Sequence, residues 1–162
     1  MKTLRQSRGA LAAKADGKAL SRVFDAQLAV LKALGAANSR LCVDFLYGGA
    51  SEAFLKFSAD NRGLVSDLAV AGLDAILDGK EKNISRTTPT ESDFQMFETS
   101  LRQNGVGTAE IGALLDGKTP DPPISDDRMC AAGKTYLETL QQMPDDVRGR
   151  IQALAVDLMA RS

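Results

Sequence analysis

The residues that could carry chemistry are few. The chain of 162 residues contains no His, which removes the commonest general base, the commonest metal ligand and the usual pH switch. Its two cysteines, Cys42 and Cys130, lie 88 positions apart, outside any CxxC spacing, and two are too few for a four-ligand Cys/His zinc site. Both have apolar neighbours (Leu41 and Val43; Met129 and Ala131). The nearest cations, Arg40 and Arg128, are two residues away, so nothing marks a reactive low-pKa thiol. Two readings stay open. One is a disulfide, which by the chain-entropy argument would stabilise the fold by about 4–5 kcal/mol. The other is a pair of buried thiols acting as small apolar residues, the common state in the cytosol. The pair therefore bears on compartment: periplasmic or otherwise exported if bridged, cytoplasmic if not.

Without His, nucleophilic hydrolysis needs a Ser–Lys pair or two working carboxylates. No serine is followed by Lys three residues on, and Asp126-Asp127 and Asp145-Asp146 stand where acids complement the positive end of a helix. Gly105-Val106-Gly107 reads as a turn, and no glycine-rich phosphate loop follows a strand. The expectation is no catalytic residue, no metal site and no cofactor.

What remains is charge and shape. The net charge of −1 hides a split: residues 1–40 hold eight basic groups against two acids, Asp16 and Asp25, while the rest is acidic. Such a segment could meet an anionic partner, or it could lie on the acidic remainder of its own fold. Interspersion of the charges with Ala and Leu favours the second. Lys14, Lys18 and Arg22 recur every four residues and could form one polar stripe, a candidate binding surface. Nucleic acid is disfavoured as the partner, because three charges are few, aromatics make up 5% of the chain and the pI is near 5.5. Tyr47 and Tyr136 are the aromatics most open to an interface role, although a Tyr at the core's edge is as common.

These groups must be positioned by helices. Apolar spacing is helical nearly throughout, and no short run alternates as a half-buried strand would. The expected fold is all-α, a single-domain bundle of six to eight helices over residues 1–162, with no sheet. The strongest signal runs from about Lys18 to Leu34, stopped by Gly35, with Leu20, Phe24, Leu28 and Leu31 as its core stripe. A weaker helix, about Leu4 to Lys14, precedes it, with a bend at Asp16-Gly17. Asn38-Ser39 can cap a short helix reaching Tyr47. Ser51-Glu52 opens the next, with Asp60-Asn61 as a break point and Asp78-Gly79 as its end. Thr90 and Asp93 have capping-box spacing, Thr108 caps a shorter helix ending at Gly117, Ser125 or Asp126 starts the Cys130 helix, and Pro144 opens the last.

Long loops are expected near 79–89, which is polar, and 118–125, which contains Pro120, Pro122 and Pro123. Ala75-Ile76-Leu77-Asp78-Gly79-Lys80 is echoed by Ala113-Leu114-Leu115-Asp116-Gly117-Lys118. Both copies read as generic helix stops, with Gly for a left-handed residue and Lys near the negative end of the dipole. No stretch approaches the ~18 consecutive apolar residues of a membrane span. The Lys2, Arg5, Arg8 cluster is not followed by the ~7–15 apolar residues of a signal peptide.

By subtraction, the expected function is non-enzymatic protein binding, of an adaptor, inhibitor or immunity type, through the basic N-terminal helices or the 118–125 loop. The alternative is a cytosolic regulator that contacts nucleic acid through those same helices.

Overall fold

The computed structural model describes the backbone of residues 2–49 and 51–161 and the side chains of residues 6–49 and 51–161, so the side chains of Lys2 and Arg5 lie outside it. The described residues form nine helices and no strand: α1 (Lys2–Ala12), α2 (Gly17–Ala37), α3 (Ser39–Leu46), α4 (Glu52–Asp60), α5 (Arg62–Lys82), α6 (Glu91–Gln103), α7 (Thr108–Asp116), α8 (Asp126–Gln142) and α9 (Asp145–Arg161). The all-α class is as expected, and the count exceeds six to eight because the segment after Ser51 is two helices. Asn61 leaves the helical region at φ −125°, ψ 43°, and its side-chain amide donates to the Phe57 carbonyl at 3.0 Å, closing α4 before α5 begins.

Local chemistry sets the other boundaries. Asp16, Asn38, Ser51, Thr90 and Ser125 each accept a hydrogen bond from a backbone N–H in the first turn of the helix that follows. Thr90 and Asp93 form a complete capping box. The cap of α7 is Gly107, while Thr108 is its first residue and accepts from Arg102. Two expected stops are overrun. Gly35 lies inside α2, where a Cβ would stand 2.9 Å from the Cys130 sulfur, so the residue admits a neighbour instead of ending the helix. Gly79 lies inside α5, which runs on to a left-handed cap at Asn83. The first long loop therefore shrinks to residues 83–89, whereas residues 118–125 are irregular as expected.

Helix α2 is the organising element, packing on α5, α8, α3 and α9, while α1 lies across α5 and α9. Leu20, Phe24 and Leu31 of its expected stripe are buried, together with Val23, Val30 and Leu34. Leu28 is a correction: it is only half-buried, at the margin of the core. A 21-residue helix drifts around its own axis relative to neighbours that cross it, so one strict stripe does not stay covered along its whole length. Buried side chains from every helix join one cluster. Phe45, Phe54 and Phe57 stack in sequence, with centroids 5.7 and 6.2 Å apart, and hold α4 against α3. Among the described residues no helix is long and apolar enough to cross a membrane.

Candidate functional site

A cleft of about 970 Å³ is bounded by α2, the 83–89 segment and the start of α9. Hydrogen bonds to the α1–α2 turn place its second wall. Ile84 N–H donates to the Lys14 carbonyl at 2.9 Å, and Arg86 Nη1 donates to the Ala13 carbonyl at 3.1 Å. The turn between α1 and α2 is itself tied to α5: Asp16 N–H donates to Asp78 at 2.8 Å, and Lys82 Nζ bridges the two carboxylates at 2.5 and 2.7 Å. Ser85, Arg86 and Thr87 are thereby held facing Lys18 and Arg22 across the cleft.

Beneath it runs a polar network joining three helices. Gln152 of α9 is fully buried; its carbonyl accepts from Ser21 Oγ at 3.4 Å, and its amide donates to Gln141 Oε1 at 3.1 Å. Gln141 of α8 in turn donates to the Ser21 carbonyl at 3.0 Å and to Asp25 at 2.6 Å. A buried amide without partners would be costly, so this chain fixes the relative positions of α2, α8 and α9 at the cleft floor.

The remaining wall is the first turn of α9. Arg150 grips Asp93 through two bonds of 2.8 Å and also reaches Asp146 at 3.4 Å. Arg148 binds Asp145 at 2.7 Å and the carbonyl oxygens of Gln141 and Met143 at the end of α8. The guanidinium of Arg150, with the Thr90 N–H, holds the Asp93 carboxyl well below the usual carboxylate range, and Lys82 lowers Asp16 and Asp78. Each of these keeps its charge to lower pH in the native state than in the unfolded chain, whose Asp titrates near about 3.9. Their stabilisation is therefore complete above that value and is lost as pH falls below it toward the native pKa. Urea midpoints measured between about pH 5 and 2 should decline, and Asp93→Asn should flatten part of that slope while lowering stability at neutral pH.

Of the sequence-derived stripe, Lys18 and Arg22 line the cleft and Lys14 does not. Arg22 pairs with Asp74 at 3.3 Å, Lys32 with Glu138 at 2.8 Å and Arg40 with Asp126 at 3.6 Å, so part of the basic third does lie on the acidic remainder. Arg8, Lys14 and Lys18 form no ion pair among the described residues. Sequence reasoning missed Arg86, Arg148 and Arg150, because only the tertiary fold brings residues so distant in sequence to one cleft. Tyr47 is exposed beside a second, smaller concavity. Tyr136 is half-buried and meets Phe97 edge-on, with centroids 5.0 Å apart.

Away from the cleft, Cys42 of α3 and Cys130 of α8 form a disulfide with Cα atoms 5.7 Å apart, inside the range a bridge requires. Both cysteines are buried, and Ser39 donates to Asp127 across the same helix pair. The 118–125 loop does not line the cleft, and among the described residues no cluster of His, Cys, Asp or Glu could hold a metal ion. Compared with known proteins, the chain matches no family model, no curated protein and no solved structure.

Proposed function

We propose that this chain is a non-enzymatic binding domain that works in an oxidising compartment and engages a partner protein through the basic wall of the α2/α9 cleft. The observation that carries the reading is the Cys42–Cys130 pair: disulfides persist in exported proteins and are rare in the cytosol. The binding role is supported by what the cleft contains. Its ionisable groups are mostly engaged in ion pairs or amide contacts that hold the helices, and none forms a nucleophile–base pair. Shape and charge are left as the means of action.

The test has two arms. Alkylation in denaturant of protein isolated without reductant should leave both cysteines unlabelled, and free thiols would overturn the compartment. Lys18→Glu combined with Arg22→Glu should weaken capture of a cross-linked partner about tenfold or more and reduce its salt dependence. Lys14→Glu, away from the cleft, should change little. If reversal at Lys14 matters as much as reversal at Lys18 and Arg22, the cleft is not the contact face.

A further inference from the structure

We infer that the cleft seats a single oxyanion group, a carboxylate or a phosphate, between Lys18 and Arg86. The inference rests on the cleft being the binding face, and it follows from accounting for every cation there. Arg150 is taken by Asp93 and Asp146, Arg148 by Asp145 and two helix carbonyls, and Arg22 by Asp74. Among the described residues Lys18 and Arg86 have no carboxylate partner. The acid that acts on Arg86, Asp16, already binds Lys82 and the Ala19 N–H.

Arg86 is also held in place. Its side chain is half-buried, fixed at Nη1 by the Ala13 carbonyl, and its Nε lies over Gly149, where a Cβ would stand only 3.3 Å away. Burial lowers its pKa by more than the charge of Asp16 raises it, as for a cation that has lost water without a full counter-ion. An anion seated beside it would supply that counter-ion. Ser85 and Thr87, on either side of Arg86, line the same cleft, and neither hydroxyl is spent on a hydrogen bond among the described residues.

The acids set the size of the charge. Asp25, Asp145 and Asp146 border the cleft, so an extended polyanion would meet them and be repelled, whereas one oxyanion beside Lys18 and Arg86 would face Asp16, whose charge Lys82 offsets. The group can arrive free or on an acidic side chain of a partner protein.

Amide chemical shifts of the oxidised full chain, titrated with inorganic phosphate, with acetate and with a short Gly-Ser peptide carrying one Glu, would test this at about 0.02 and about 0.15 M ionic strength. The expected result is saturable shifts confined to residues 17–22, 85–87 and 148–150. Lys18→Ala and Arg86→Ala should each weaken binding about tenfold, the loss of one charge-assisted contact, while Lys56→Ala on exposed α4 should not. Lys18 is exposed, so its variant keeps the test decisive if Arg86→Ala unfolds. Response to phosphate or acetate alone identifies a free anion, and response to the peptide only identifies a protein side chain. Uniform, unsaturable shifts, or binding unchanged in Lys18→Ala, overturn the inference. If the seat proves empty while Lys18→Glu/Arg22→Glu still releases the partner, this inference fails alone. If the seat fills and that variant keeps its partner, the contact-face reading fails instead.

Discussion

Gly79→Ala should cost about 3 kcal/mol or more, whereas the same change at Gly72 in the same helix should stabilise by up to about 1 kcal/mol. The difference lies in the space each Cβ would enter. At Gly79 it would stand 1.9 Å from the Leu11 carbonyl oxygen and 3.0 Å from the Ala15 nitrogen. Both obstacles are backbone, so no rotamer change relieves them, and α1 with the turn behind it would have to lift from α5. That turn carries Asp16, whose bonds to Asp78 and Lys82 would open together with it. At Gly72 nothing lies within 4 Å, so a methyl group only removes backbone freedom from the unfolded chain. Chemical denaturation of the two variants against the parent reads the sign directly. Equal, small effects would show that α1 does not rest on α5 at this notch.

The two Leu-Asp-Gly-Lys copies show where sequence pattern stops being informative. Gly117 is a left-handed helix cap at φ 63°, as its local context predicts. Gly79 has the same neighbours yet sits inside a helix because another helix needs its missing side chain, a requirement set by residues 11–15 that no local window contains. Helix class, most caps and the 118–125 loop were legible because they depend on period, capping chemistry and proline, all local. Of the site, Lys18 and Arg22 were legible as consecutive turns of one face. Arg86 was not, since its importance comes from the Ile84 and Arg86 bonds that strap its loop to the α1–α2 turn. Lys14 shared the spacing of Lys18 and Arg22 but precedes the cap of α2, so it does not continue their stripe. The cysteines were legible as a pair, and the packing of α3 on α8 brings them to bridging distance.

Breaking that bridge should cost about 2–5 kcal/mol, toward the upper part of that range because the loop it closes is long. A domain of this size has a total stability of only about 5–15 kcal/mol, so the reduced protein should melt far earlier. Two comparisons separate the causes. Reduction of the parent chain removes the constraint on the unfolded state and keeps both sulfur atoms in the core, whereas Cys42→Ala with Cys130→Ala also removes their packing. If loop entropy dominates, the two should lose nearly the same stability, and both should show a steeper denaturant dependence than the oxidised protein, because the uncrosslinked chain exposes more surface. A loss below about 1 kcal/mol on reduction would mean that α3 is held by its apolar contacts alone. The effect should also be local in its first stage. Helix α3 has eight residues, too few to persist without tertiary support, so its amides should lose hydrogen-exchange protection before those of α2 do. The cleft should outlast α3, because Gln141 lies about three turns along α8 from Cys130 and is held there by Ser21, Asp25 and Gln152. Reduced protein well below its melting temperature should therefore still bind at Lys18 and Arg86, which makes the disulfide a stabiliser of the domain and not a switch of its site.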